Sequence, residues 1–126
     1  PEEAAQHLLA TAWDYDLAVH EFFLSDLAGH RQDIELISWV VTTYDRFLGE
    51  LIRQKRDTDV IVLVSDHGNS EDFRVKTHTM NPVPTMIIGP SSRLDAIDTE
   101  GWDLTAIAPL LLRMAEGPNK AKGERE

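Results

Sequence analysis

Cysteine is absent from this sequence, which excludes disulfide staples and thiolate metal sites and leaves the redox compartment open. No apolar run approaches the ~18 residues needed to span a bilayer, and no secretory leader is visible, so a soluble, cytoplasmic chain is the expectation. Basic residues are few: 12 Lys and Arg stand against 22 Asp and Glu, for a formal charge of −10. That balance argues against non-specific binding to nucleic acid or an anionic membrane, whose footprint is basic. Part of the acidity is available to hold metal cations. Internal repeats and low-complexity linkers are also missing. What remains is 126 residues, 42% of them hydrophobic, enough for one modest domain with a core. Residues 1–116 read as that domain and 117–126 as a frayed tail.

The chain is organised around Val60-Ile-Val-Leu-Val64. A short unbroken run of β-branched and aliphatic residues predicts a strand buried on both faces, as in a parallel sheet covered by helices. Before it, residues 2–13 are rich in helix formers, with Glu2 and Glu3 in the first turn, where they suit the helix dipole. Residues 17–24 (LAVHEFFL) predict another strand. Residues 33–56 predict the longest helix, with Ile34, Ile37, Val40, Val41, Tyr44, Phe47, Leu48, Leu51 and Ile52 forming one apolar stripe to lie on a sheet. Glu35, Asp45, Glu50, Arg53 and Lys55 form its solvated face. Strand, helix and strand from 17 to 64 predict a right-handed βαβ unit with parallel strands. Residues 83–88 predict a third strand, with Pro84 marking its start or an edge. After the turn 89–92, residues 103–115 predict a last helix, with Pro109 preceded by a kink or a short first turn. The expected class is α/β, a mostly parallel sheet with flanking helices.

Polar chemistry gathers where the strands end, which is where ligands bind in open α/β sheets. Asp66-His67-Gly68-Asn69 follows Val64 directly, and Gly68 lets the backbone turn sharply. Asp26 and His30 follow the expected strand at 17–24, and at a spacing of four they share one side of a helical turn. His78 lies in the polar loop 70–82, the kind of segment on which sites are built. Each motif alone has a plainer reading: Asp26 as a helix cap, Asp66 as a turn former. His7 reads as a surface helix residue and His20 as structural. Together, Asp26, His30, Asp66, His67 and His78 make a set of carboxylates and imidazoles without thiolate. Such a set suits zinc, manganese or iron better than calcium, and five ligands are too many for one closed tetrahedral site. Two divalent ions are therefore expected, an arrangement that can hold a phosphoryl oxygen, activate a nucleophile and stabilise a leaving group.

Asp66-His67-Gly68-Asn69, Thr77-His78-Thr79 and Asn81-Pro82-Val83-Pro84 resemble the C-terminal metal motifs of the alkaline phosphatase superfamily. The resemblance is nearest to cofactor-independent phosphoglycerate mutase. Asp26-Leu-Ala-Gly-His30 resembles that family's earlier D-x-x-x-H motif, and Gly29-His30-Arg31-Gln32-Asp33 is similar to phosphopentomutase. Leu104 to Leu112 resembles the closing helix. The likeness covers residues 16–116 and implies a partial alkaline-phosphatase-like core. It further implies that Asp26, His30 and His78 hold one ion and Asp66 and His67 the other, with manganese or zinc as the metal. The family moves phosphoryl groups through a Ser or Thr nucleophile on an N-terminal segment that also supplies a further Asp ligand, and neither is found in this sequence. The chain, which starts at Pro1 rather than Met, is therefore expected to be the C-terminal part of such an enzyme, with one ion or none bound. Two readings follow. One is a phosphoryl-transfer metalloenzyme, hydrolase or isomerase, acting on a phosphorylated small molecule. The other is a non-catalytic metal-binding or interaction module on the same scaffold. An incomplete sheet leaves an edge open to pairing, so a homo-oligomer is the expected state.

Overall fold

The computed structural model describes residues 1–116, so the expected tail at 117–126 lies outside the described residues. The content is α/β. Helix α1 spans Glu2–Ala12, α2 Leu24–Arg31 and α3 Ile34–Gln54; strands β1 (Ile61–Val64) and β2 (Thr85–Ile88) follow, then α4 (Ser91–Leu94), a 3-10 turn (Leu104–Ala106) and α5 (Ile107–Glu116). The core lies between α1 and α3, where Ala5, Leu9, Phe47 and Leu51 are buried together with Leu8, Tyr44 and Ile61 packed against them. Only the inner part of the α3 stripe reaches it. Val40, Phe47 and Leu51 are buried, whereas Ile34, Val41 and Ile52 are exposed. The helix leans on α1 and α2 more than on a sheet.

Four expectations are corrected here. The strand at 17–24 does not form: residues 17–22 run without a ladder partner and Leu24 opens α2. The segment is held instead by rings on α3, His20 stacking on Phe47 with centroids 5.1 Å apart and Phe22 on Tyr44 at 4.6 Å. Without that strand the βαβ unit is lost, and the sheet among the described residues is two-stranded and antiparallel, pairing Ile61 with Ile88 and Val64 with Thr85. With few neighbours to cover it, β1 is half-buried, not buried on both faces, and Val64 is exposed. Finally, Glu50 is not on a solvated face. It is 6% exposed and accepts from Gln6, Arg53 and Gln54, and these donors, Gln6 first and then Arg53, hold its carboxyl below the usual range.

Local signals explain the element ends. Asp33 caps α3, its Oδ1 accepting from the Glu35 and Leu36 amides at 3.1 and 3.0 Å. Asp59, in the turn between α3 and β1, accepts from Trp13 Nε1 at 3.0 Å and from the Arg56 amide at 2.8 Å. That turn is thereby tied to the end of α1, with the Arg56 guanidinium 4.4 Å above the Trp13 ring. Pro84 lies just before β2, as an N–H-less residue should. Pro109 falls in the first turn of α5 after the 3-10 turn, where no intrahelical donor is needed. Ser91 and Ser92, expected within the turn 89–92, instead open the short α4. No helix among the described residues is long and apolar enough to cross a membrane.

Candidate metal centre

The loop between β1 and β2 is closed at its base by an antiparallel bridge between Gly68 and Thr79, with the Thr79 amide donating to the Gly68 carbonyl at 2.9 Å. Residues 65–67 on one side therefore face 80–84 on the other, and the longer side contains Pro82 and Pro84, which cannot donate into a ladder. The bridge sets His67 beside His78, and their rings stack with centroids 3.5 Å apart at 15°. Gly68 serves the bridge by its lack of a side chain. A Cβ there would overlap Thr79 Oγ1 and Glu71 Oε1, and its φ is not positive, so close approach, not a left-handed turn, demands glycine.

Helix α2 supplies the other side of the site. Asp26 and His30 lie one turn apart on it, as their spacing predicts, with His30 Nε2 3.3 Å from Asp26 Oδ1. The same oxygen is 3.3 Å from His78 Nε2 and 3.9 Å from His67 Nε2. Four of the five expected residues thus converge on one carboxylate oxygen. Asp66 stands at the rim with its side chain 84% exposed, and its Oδ2 is 3.4 Å from His67 Nε2. His7 is exposed on α1 and His20 packs on Phe47, both away from this cluster.

The donor set fits a divalent cation. His30 Nδ1 lies 2.7 Å from the Lys76 carbonyl, which can only accept, so Nδ1 carries the proton and Nε2 of the neutral ring offers a lone pair. That lone pair meets His78 Nε2 at 3.1 Å. Two imidazole nitrogens bound to one ion at about 2.0–2.1 Å lie roughly 3.0–3.4 Å apart, so the observed gap suits a shared cation. Asp26, His67 and His78 each bring a ligand atom within 4.8 Å of the others. His67 Nδ1 is buried without a hydrogen-bond partner.

Three supporting residues had no role assigned from the sequence. Asn69, 7% exposed, donates from Nδ2 to Asp26 Oδ1 at 2.6 Å and to the Asp26 carbonyl at 3.2 Å, and so orients the central carboxylate. Glu71 accepts from the Asn69 amide at 2.6 Å, from Asn81 Nδ2 at 2.9 Å and from the Thr79 hydroxyl. It thereby joins both sides of the loop. Gln32 joins α2 to the loop. The local signal for all three was weak: polar residues in a loop or at a helix end name no partner in advance.

Gly29 faces Asn69 so closely that an added Cβ would overlap its carboxamide. Inside a helix, Ala is favoured over Gly by about 1 kcal/mol, but overpacking costs about 1–3 kcal/mol, and Asn69 is bound to Asp26 and cannot swing away freely. Gly29→Ala is therefore expected to lower the thermal midpoint; a raised midpoint would show that Asn69 yields without cost.

Hydrogen bonds from Thr79, and then from Asn81, depress the Glu71 carboxyl from its usual 4.5 to about 2. A depressed carboxyl contributes stability above its unfolded value and loses it as pH falls. The stabilisation given by the Glu71 bonds should thus be complete above about pH 4.5 and fall away between there and about 2, where the carboxyl protonates in the folded chain. Side-chain carboxyl NMR checks this, and a Glu71 midpoint near 4.5 would show that these bonds do not persist in solution.

A family model described as the metalloenzyme superfamily matches residues 2–116. The chain belongs to the metalloenzyme superfamily. Among curated relatives, it is 34% identical over 116 residues to the 2,3-bisphosphoglycerate-independent phosphoglycerate mutase of Rhodopseudomonas palustris, covering 86% of this chain and 22% of that protein. It is 34% identical over 105 residues to the protein of the same name from Halobacterium salinarum, covering 79% and 21%. The phosphopentomutase of Sinorhizobium fredii is 33% identical over 92 residues, covering 72% and 23%. The chain therefore spans about a fifth of the length of the curated relatives it matches. No solved structure matches significantly. This superfamily implies divalent metal use, consistent with the His and Asp cluster.

Proposed function

We propose that this metalloenzyme superfamily chain carries the metal-ligand half of a phosphoryl-transfer enzyme, of phosphatase or phosphomutase type, acting on a phosphorylated small molecule. The observation that carries the proposal is the convergence of His30, His67 and His78 Nε2 on Asp26 Oδ1. In this reading Asp26, His30 and His78 hold one divalent ion. Asp66 and His67 hold a second, and manganese or zinc is the metal. Bound ions supply positive charge to polarise a phosphoryl oxygen and to stabilise nucleophile and leaving group. The chain's own residues prepare that place. The Lys76 carbonyl fixes the His30 proton on Nδ1, Asn69 turns the Asp26 carboxylate toward the imidazoles, and Glu71 keeps His67 and His78 on facing sides of one loop.

One observation favours the alternative of a metal-binding module. The serine hydroxyls just before Asp26 and Asp66 are spent on backbone, Ser25 Oγ on the Phe22 carbonyl and Ser65 Oγ on the His67 carbonyl. Neither is free to attack phosphorus without first giving up that bond. The test is metal analysis after saturation with Mn²⁺ or Zn²⁺, together with phosphate release from an aryl phosphate. The expected result for the 126-residue chain is a bound ion, weaker on acidification because ligating imidazoles must be neutral, and negligible phosphate release. Absence of any bound ion would overturn the metal centre. Rapid release abolished by Asp66→Ala would overturn the half-site and make the chain a complete catalyst.

A further inference from the structure

Gln32 ends α2 in a backbone conformation that its side chain does not favour. Its φ is 53° and its ψ 35°, with the amide donating to the Gly29 carbonyl, and among the described residues it is the one non-glycine residue with positive φ. Helices commonly end in this left-handed conformation, but glycine usually occupies it because a Cβ is strained there. A strained residue that persists calls for a compensating contact. Here the contact is specific: Gln32 Nε2 donates to the Phe73 carbonyl at 2.7 Å and to the Val75 carbonyl at 2.9 Å. One residue further along, the Lys76 carbonyl accepts from His30 Nδ1. Three carbonyls within four loop residues are therefore held by two side chains from the last turn of α2. The segment has no ladder there, and its carbonyls need donors from elsewhere. Two residues beyond this clasp stands His78.

We infer that Gln32 is a positioning residue: its carboxamide registers residues 73–76 on the C-terminal end of α2 and so sets the separation of His30 and His78. The inference rests on the metal-centre reading for its consequence, but the ring separation is a property of the protein without metal. Without the Gln32 clasp, the chain before His78 keeps its tie at the Lys76 carbonyl, while after His78 the bridge at Thr79 and the Thr79 and Asn81 bonds to Glu71 remain. The His30–His78 gap of 3.1 Å would then widen and vary. Outer groups that orient ligands typically change metal affinity by about 10–100-fold when removed.

Two substitutions separate this role from a merely structural one. Gln32→Gly relieves the left-handed strain and removes the clasp. Gln32→Glu keeps size and strain but places a carboxylate oxygen against two carbonyls. The full chain is compared with both variants by thermal unfolding, by nuclear Overhauser contact between the His30 and His78 rings in metal-free protein, and by Mn²⁺ titration. Gln32→Gly is expected to unfold at the parent's midpoint or higher, yet to lose the ring contact and bind Mn²⁺ about tenfold more weakly. Gln32→Glu is expected to lose at least as much affinity. Ring contact kept in Gln32→Gly would overturn the inference. So would parent-like Mn²⁺ affinity in both variants. If the parent itself binds no Mn²⁺, the metal-centre reading fails, and the ring contact alone decides the role of Gln32.

Discussion

Asp26→Ala is expected to abolish measurable divalent metal binding at the position formed with His30 and His78. Asp26 Oδ1 is the atom that faces all three imidazoles, and removing it leaves the nitrogens without the anion that balances a dication. Loss of an outer partner costs about 10–100-fold in affinity, so loss of the central carboxylate should exceed about 100-fold. Asp26→Asn should lose nearly as much, because a neutral amide keeps the shape without the charge. His7→Ala is the control, since His7 lies exposed on α1. Titration calorimetry with Mn²⁺ or Zn²⁺ reads the result. Parent-like affinity in Asp26→Ala would move the metal away from this cluster, whatever the imidazoles do.

Phe47→Ala is expected to cause the largest loss of stability among single core substitutions. Phe47 is 7% exposed, belongs to the buried cluster with Ala5, Leu9 and Leu51, and receives both His20 and Tyr44 on its ring. Phe→Ala in a core typically costs about 3–5 kcal/mol through lost transfer free energy and the cavity left behind. The truncation would also release the 17–22 segment, which has ring contacts in place of a ladder. Ile34→Ala on the same helix is the comparison: Ile34 is 71% exposed, and surface changes usually stay within about 0.5 kcal/mol. Denaturant unfolding measures both. A loss below about 1 kcal/mol for Phe47→Ala would show that α1 and α3 are not joined by this cluster in solution.

Reading the sequence reached those parts of the molecule that depend on spacing along one element. Asp26 and His30 at a separation of four had to share a helix face, and they do. The short first turn expected ahead of Pro109 is present as the 3-10 turn, whereas Asp33, expected inside the long helix, caps it instead. The metalloenzyme superfamily was legible in the Asp-His-Gly-Asn and Thr-His-Thr motifs because ligand chemistry restricts which residues stand together. Tertiary structure decided the rest. The apolar residues of 17–24 suit a strand or a packed extended segment equally well, and what settled the matter was the presence of α3 rings and the lack of a ladder partner. Glu50 sits on the polar side of a helical wheel, yet it is buried because Gln6 and Arg53 close over it. Asn69 meets Asp26 across 43 residues, and Gln32 meets Phe73 and Val75 across 41 and 43. Periodicity and motif spacing act over one or two turns of chain, whereas a hydrogen bond at such separation exists only once packing has fixed which backbone passes which side chain.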